Sequence, residues 1–511
     1  MSRLARILDW APEPEDDLPL ALWSAAEIAA ATGGQIGAAG DFLVSNTATD
    51  SREIIEGGLF VAMRGAEMDG HRFIETARGR GAIAALVERP VEGLHVLVED
   101  SFAALQALGA AARARLLPHA RVIGVTGSVG KTSVKEALFA ALDRASHGRA
   151  HRSVKSYNNH VGVPLSLARM PARTQYGVFE MGMNHAGEID GLTRQVRPHV
   201  AVITTIAPAH IENLGSEEAI ADAKAEIFEA LEPMGDQPPV AVIPADSPHF
   251  ARLRDAALAK GARVVSFGRA AGADVRVIDA VRAAGGGSLV TIAMREGGVE
   301  RRLCYTIAAA GEHWVLNSLA VMAAVRAVGG DLGAAGLALA EMEGLAGRGA
   351  QMLIDARDGQ AGTASGGKAL LIDESYNANP ASMRSALAVL AGVKARRRIA
   401  VLGAMKELGD FAPGLHAALA EPIFAAGVDH AILVGPEMAA LNAALERNPG
   451  ENPLAAAGSG LGKGITIAHC LTAEDARHLL DAFGLEDGDA VLVKGSNSVG
   501  LGALVAGLAG K

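Results

Sequence analysis

Arg121-Val-Ile-Gly-Val-Thr-Gly-Ser-Val-Gly-Lys-Thr-Ser133 is the stretch that decides the fold. Its apolar run, Val122 to Val125, has the length and β-branched content of a buried parallel strand. Gly127 and Gly130 follow, and glycine tolerates positive φ and close backbone approach. From Thr132 onward Val134, Leu138, Ala141 and Leu142 recur at helical spacing, so the loop runs into a helix N-terminus. Unpaired N–H groups, the positive end of the helix dipole and the Lys131 ammonium then converge, which makes a cradle for phosphate. The hydroxyl of Thr132, next to the lysine, is placed to hold Mg²⁺. The strict pattern G-x-x-x-x-G-K-[ST] asks for glycine at position 125, where this chain has Val125.

At 511 residues the chain is long enough for roughly three domains of about 100–200 residues each. A hydrophobic content of 50% is ample for several cores. The net charge of −10 and a pI near 5.9 argue against a nucleic-acid partner, so any basic site is local. Cys304 and Cys470 are far apart in sequence and read as reduced thiols of an intracellular protein. Glu13, Glu15, Asp16 and Asp17 stand where a secretory signal would carry an apolar core. No apolar run approaches the ~20 residues of a membrane span. The chain reads as a soluble, cytoplasmic monomer.

Residues 1–18 read as a poorly ordered leader. A small α/β domain follows at 19–118, with a helix from Trp23 to Ala31 capped by Ser24 and Glu27 and strands at 59–64, 82–87 and 95–98. The central segment, 119–346, alternates strands near 122–126, 177–181, 200–206, 240–243 and 263–267 with helices. That is the pattern of a P-loop ATPase-like, mostly parallel sheet covered on both faces. Extra strands are expected over 274–306, with a glycine-rich turn at Gly285 to Gly287. The last segment, 347–511, repeats the alternation with strands at Leu370–Ile372, Ile399–Leu402, Ala431–Val434 and Ala490–Val493. It reads as a Rossmann-like doubly wound sheet, which binds ligands at the carboxyl ends of its strands. The basic run Lys394-Ala-Arg-Arg-Arg398 reads as a solvated surface.

Four further stretches of the central segment bear on chemistry: Tyr157-Asn-Asn-His-Val-Gly-Val-Pro164, Phe179-Glu-Met-Gly-Met-Asn-His-Ala-Gly-Glu188, Ile206-Ala-Pro-Ala-His210 and Ala223-Lys-Ala-Glu-Ile227. Nucleoside triphosphate chemistry needs a divalent metal, and Mg²⁺ takes hard oxygen ligands with a few waters. Glu180 suits it, whereas the imidazole of His210 suits softer metals. Taken singly, each residue has a plain reading. Glu180 is a strand-end carboxylate, His210 a hydrogen-bonded structural histidine, and Lys224 a helix-surface lysine paired with Glu226 or Asp222.

Taken together, the set resembles the Mur ligase family, the ATP-dependent amide-forming enzymes of peptidoglycan precursor synthesis. Thr126-Gly-Ser-Val-Gly-Lys-Thr132 resembles that family's nucleotide loop, including its missing first glycine. The other markers are Asp50-Ser-Arg52, Tyr157-Asn-Asn159 with Gly162-Val-Pro164, Glu180-Met-Gly-Met-Asn-His185 and Ala207-Pro-Ala-His210. In the last domain they are Ile372-Asp-Glu-Ser-Tyr-Asn-Ala-Asn-Pro380, Val401-Leu-Gly403 with Glu407-Leu-Gly409, and Val493-Lys-Gly-Ser496. The stretch from Ser375 to Pro380 discriminates most within the family. It is similar to the branch that joins D-alanyl-D-alanine to a UDP-N-acetylmuramoyl-tripeptide.

The resemblance implies roles residue by residue. Gly127, Ser128, Gly130, Lys131 and Thr132 would hold the phosphates of ATP. Thr132, Glu180, His210 and a carbamylated Lys224 would place two Mg²⁺ ions. Asn317 would lie against adenine, with Arg348 and Asp373 reaching ATP from the other side. Ser51 and Arg52 would take the uridine nucleotide, Asn159 and His185 would face the sugar peptide, and Tyr376, Asn377 and Asn379 would take the acceptor. A hinge is expected around Ala346 to Arg348. The family usually has Asn after the histidine of Gly311-Glu-His313, where this chain has Trp314.

The implied reaction is attack of the tripeptide carboxylate on the γ-phosphate, then attack of the dipeptide amine on the acyl phosphate. Rival readings are a sister ligase such as the one adding the third stem residue, and the folate polyglutamate ligase. Outside the family stand a P-loop motor or switch and a non-catalytic binder. A motor would hydrolyse ATP without amino-acid or sugar dependence, and a binder is expected to lose Lys131, Glu180 or Lys224. Whether the tripeptide ends in lysine or diaminopimelate is not written in any of these motifs.

Overall fold

The computed structural model describes residues 21–37, 40–65, 68–283, 287–357, 364–447 and 464–510. The acidic leader and Gly285 and Gly286 of the expected turn lie outside them. The described chain divides into two compact units.

The first unit holds the residues up to Pro118 together with Val161–Thr174. Its five-stranded sheet runs in the order Gln35–Gly37, His95–Leu97, Ala82–Val87, Gly58–Val61, Asn46–Ala48. Ser24 caps a helix whose Glu27 closes the capping box. That helix begins at Ala25, because Trp23 and Ser24 pair antiparallel with Val44 and Leu43.

Sequence position alone puts 161–174 in the central domain, yet it packs with the first unit. The reason is local. Every residue of the short helix Gly162–Ala168 is buried, so it needs cover, and the helix Ser101–Ala114 supplies it. The Trp23 indole donates to the Ala168 carbonyl at 2.8 Å. Arg115 donates to the Met170 carbonyl at 3.0 Å and lies 3.5 Å from the centre of the Trp23 ring.

The second unit holds residues 119–160 and 175–511 and carries two sheets. The larger has nine strands in the order Val299–Ile307, Ser288–Glu296, Val275–Arg282, Arg263–Gly268, Val240–Pro244, Val200–Ile203, Arg121–Thr126, Tyr176–Glu180, Ala150–Arg152. Neighbours are parallel from Ala150–Arg152 through Val275–Arg282, and the last two strands add antiparallel. Strand Ala150–Arg152 has three half-exposed residues and no apolar run, so no periodicity announces it. Arg121–Thr126 lies in the interior of the sheet, and its apolar residues have no exposure. Helices Lys131–Ser146 and Glu312–Ala327 cover it and share one apolar core with Ile123, Val125 and Trp314.

The smaller sheet has six strands: Ala350–Arg357, Ala364–Glu374, Ala490–Lys494, Arg398–Gly403, His430–Val434, Thr466–Cys470. All pairs are parallel except the first. The basic run before Arg398–Gly403 is tied down more than a solvated surface would be. Arg397 pairs with Asp489 and Glu486. Both cysteines are free thiols. Among the described residues no helix is long and apolar enough to cross a membrane.

Candidate active site

The glycine loop is fixed from three sides. Gly127 has φ +148°, and a Cβ there would come within 1.9 Å of the Thr204 hydroxyl, so only glycine fits. Ser128 donates its hydroxyl to the Ala207 carbonyl at 2.8 Å and accepts from the Ala207 N–H at 3.0 Å. Its own N–H donates to the Thr205 carbonyl at 2.8 Å. The next strand, Val200–Ile203, thus holds the loop through the stretch that leads to His210. Gly130, with φ +89°, sits under Asn317, whose Oδ1 would be 2.8 Å from a Cβ there. Two signals from distant parts of the chain, Gly130 and Asn317, therefore describe one spot.

Lys131 opens the helix Lys131–Ser146 and donates to the Gly127 carbonyl at 2.7 Å. Burial pushes its ammonium below the usual lysine range; Glu180 opposes that shift and Arg348 adds to it. Thr132 donates to Glu180 Oε2 at 2.8 Å, and Asn158 donates to Glu180 Oε1 at 2.8 Å. Glu180 is 1% exposed, and the Ser153 hydroxyl accepts its backbone N–H. It ends the strand Tyr176–Glu180 and pairs in register with Val125, one residue before the glycine loop region.

His210 has φ +59° and meets Glu407, itself at φ +63°, through its Nδ1. The imidazole hydrogen bond holds the Glu407 carboxyl below the usual carboxylate range. Two non-glycine residues in the left-handed region face one another here, an arrangement that costs strain and is concentrated at functional sites.

A cleft of about 240 Å³ gathers much of this. Ser128, Gly130, Lys131, Glu180, His210 and Asn317 line it from the part of the chain that carries the nine-stranded sheet, and Arg348, Tyr376, Asn377 and Asn379 from the part that carries the six-stranded sheet. Arg348 donates to the Ser156 hydroxyl at 3.1 Å and lies 4.2 Å from the centre of the Tyr376 ring. Asn379 caps the helix Pro380–Ala391, with Pro380 at its first position and Ser382 closing the capping box. A neighbouring cavity of about 620 Å³ shares His313 and Asn317 with the cleft. Trp314 points the other way, into the core at 2% exposure. The departure from the family's usual asparagine is therefore a packing feature and leaves the cavity wall to its helical neighbours His313 and Asn317.

Other expected residues lie elsewhere. Asp373 is 5% exposed, accepts from the Gly347 N–H at 2.7 Å and from the Ser375 hydroxyl at 2.6 Å, and is absent from the cleft wall. Asn159 is exposed, and its neighbour Asn158 is the one whose amide holds Glu180. His185 is exposed beside Glu188. Ser51 and Arg52 belong to the first unit, where the Arg52 guanidinium pairs with Asp50 at 2.7 Å. The cleft also holds His313, Glu374 and Lys494, to which sequence reading gave no role. All three stand in stretches already quoted, 311–313, 372–380 and 493–496.

Buried lysines separate sharply. Lys135, with no exposure, donates to the carbonyls of Ser153 at 2.9 Å and Lys155 at 2.6 Å and pairs with Glu136 at 2.8 Å. Lys224 is 1% exposed and makes no hydrogen bond or ion pair among the described residues. It is thus not the surface lysine paired with Glu226 or Asp222; Asp222 pairs with Arg252. Burial drives its ammonium well below the usual range, with the charge of Lys131 adding to the effect. A neutral amine is what carbon dioxide carbamylates, so this side chain fits that modification.

The donor set also fits Mg²⁺. Among the described residues no three His, Cys, Asp or Glu side chains converge on one point. The Thr132 hydroxyl and the Glu180 carboxylate are instead hard oxygens beside a phosphate cradle. Mg²⁺ completes such a set with phosphate oxygens and waters.

Family models agree along the chain: the Mur ligase middle domain over residues 125–325, "Mur ligase, glutamate ligase domain" over 362–497, and "Mur ligase family, catalytic domain" over 44–128. A UDP-N-acetylmuramoyl-tripeptide–D-alanyl-D-alanine ligase of Synechocystis sp. is 34% identical over 477 residues, 92% of each chain. A crystal structure of MurF from Acinetobacter baumannii matches with a TM-score of 0.77 at 30% identity, over 97% of this chain and 100% of that one. A MurF ligase of Thermotoga maritima, solved in complex with ADP, matches with a TM-score of 0.66 at 26% identity, over 89% and 94%.

Proposed function

The chain belongs to the Mur ligase family of ATP-dependent ligases, and on that premise we propose that it joins D-alanyl-D-alanine to a UDP-N-acetylmuramoyl-tripeptide through an acyl phosphate. The observation that carries this reading is the shared cleft. The phosphate loop, at Ser128, Gly130 and Lys131, lines the same space as the discriminating stretch, at Tyr376, Asn377 and Asn379. One domain supplies the phosphate end and the other the acceptor end of a single reaction.

The work divides among the chain's own residues. Residues 119–346 bind ATP, with the phosphates on the loop and the adenosine in the cavity beside His313 and Asn317. Lys131 and Arg348 offset the repulsion as the tripeptide carboxylate approaches the γ-phosphate, so the barrier falls through positioning and charge stabilisation. Thr132, Glu180, His210 and carbamylated Lys224 would hold two Mg²⁺ ions, which supply further charge neutralisation on the phosphate oxygens. Asn158 and Thr132 orient Glu180 by taking one carboxylate oxygen each. ADP departs from the new acyl phosphate, and the dipeptide amine attacks the acyl carbon and expels phosphate. Closure of the cleft would keep water from the intermediate.

Residues 19–118, with Ser51 and Arg52, take the uridine nucleotide, while Asn159 and His185 face the sugar peptide. Residues 347–511 present the acceptor. A hinge around Ala346 to Arg348 would let the nucleotide and acceptor walls close on one another, and Gly347 there has a φ of +72°. On this reading the enzyme works in the cytoplasm, as a monomer.

Phosphate release from ATP, with the sugar tripeptide and D-alanyl-D-alanine added singly and together, tests the reading. Sustained release is expected only with both. Steady turnover on ATP alone would move the chain to the motor or switch class.

A further inference from the structure

Two residues of the cleft have no task in the reaction described so far. Glu374 ends the strand Ala364–Glu374, Lys494 ends the strand Ala490–Lys494, and the parallel ladder sets them side by side. Both thus stand at the carboxyl edge of the sheet, where open α/β folds bind ligands. Lys494 is 1% exposed and donates to the Asn377 carbonyl at 2.8 Å and to Glu374 Oε2 at 3.4 Å. Burial holds its ammonium below the usual lysine range; Glu374 opposes this and the charge of Arg348 adds to it. His313 also feels the charge of Glu374.

The charges of the cleft are unevenly committed. Glu180 has both oxygens taken, by Thr132 and Asn158. Glu374 lines the same cleft, and its Oε1 accepts no hydrogen bond among the described residues. The reaction brings in anions, for which Lys131 and Arg348 are present, but also one cation, the ammonium of the dipeptide. That ammonium cannot attack until it loses a proton. The next residues along the chain from Glu374 are those read as the acceptor stretch.

We propose that Glu374 receives the ammonium of the incoming dipeptide and removes its first proton, while Lys494 acts as a positioning residue that fixes the Glu374 carboxylate and the Asn377 carbonyl. The proposal rests on the acyl-phosphate reading above. The ammonium gives one proton to Glu374, and the freed nitrogen lone pair forms the C–N bond at the acyl carbon. The bond from that carbon to the phosphate oxygen breaks, and the departing phosphate takes the second nitrogen proton as it leaves. The amide and hydrogen phosphate result, and Glu374 returns its proton to solvent.

Hydroxylamine separates this step from the one before it, because near pH ~7 it is a neutral nucleophile that needs no deprotonating carboxylate. Parent enzyme, Glu374→Gln, Glu374→Asp and Lys494→Gln are each given ATP, Mg²⁺ and sugar tripeptide, with either dipeptide or hydroxylamine as acceptor. For Glu374→Gln, kcat/KM for the dipeptide is expected to fall roughly 10²–10³-fold, while hydroxamate formation changes by less than about threefold. Glu374→Asp should recover part of the loss, and Lys494→Gln should raise the KM for dipeptide more than it lowers kcat. Unchanged ADP affinity shows that each variant is folded. Parallel loss of amide and hydroxamate, or full dipeptide use by Glu374→Gln, would overturn the proposal. No hydroxamate from the parent would instead overturn the acyl-phosphate reading, and the proposal with it.

Discussion

The two walls of the cleft are built by different means. The central wall follows from one continuous motif, in which Gly127, Gly130, Lys131 and Thr132 are neighbours in sequence and their chemistry is local. The other wall is a register effect. Glu374 and Lys494 are 120 residues apart in the chain and become partners because two parallel strands end at the same level. A motif that binds phosphate can be read from spacing, because a loop and a helix N-terminus suffice to make it. An acceptor site assembled across strands needs the sheet first.

The largest expected effect probes the motif wall. Lys131→Ala should lower turnover by roughly 10³-fold while leaving circular dichroism unchanged, because the side chain faces the cleft and not a core. Lys131→Arg should rescue poorly, being a broad fork in place of a compact charge. Full activity in Lys131→Arg would break the account of this wall.

Next comes Lys224, buried and without a hydrogen-bond or ion-pair partner among the described residues. Lys224→Ala should fold, lose nearly all activity and regain part of it when a short-chain carboxylate is added. The parent, equilibrated with ¹³C-bicarbonate, should show a carbamate resonance that the variant lacks. A variant as active as the parent would leave the second metal ion to other residues.

The smallest effect on catalysis is expected at Lys135, the buried lysine whose ammonium donates to Ser153 and Lys155 and pairs with Glu136. Lys135→Met strands the carbonyls of Ser153 and Lys155 and should lower unfolding stability by about 1–3 kcal/mol, read by urea titration, with kcat nearly unchanged. A large loss of kcat at unaltered stability would blur the distinction between a satisfied lysine and an unsatisfied one.

Much of the central sheet was legible because buried parallel strands are unbroken apolar runs. Ala150–Arg152 was not, since it is an edge strand of three half-exposed residues. The segment 161–174 was assigned by chain order, whereas its wholly buried helix follows the cover offered by Ser101–Ala114. At the site, Lys131, Glu180 and His210 could be named from sequence. Sequence reading singles out Asn159 for the sugar peptide and gives no task to Asn158, whose amide holds Glu180, because an irregular loop has no period to say which amide turns inward. Asp373, which the family resemblance assigns to ATP, accepts from Gly347 and Ser375. A carboxylate at a strand end looks the same in sequence whether it faces ligand or braces the backbone.

In the proposed reaction the loop wall activates the tripeptide carboxylate before the acceptor wall delivers the amine. Positional isotope exchange in ATP labelled with ¹⁸O at the β,γ bridge tests it directly, since reversible acyl-phosphate formation lets the label scramble into the β-phosphate. Exchange should appear with Mg²⁺ and the sugar tripeptide alone, and not with ATP alone or with ATP and D-alanyl-D-alanine. Exchange independent of the tripeptide, or none until the dipeptide is added, would contradict the order of events that the two walls imply.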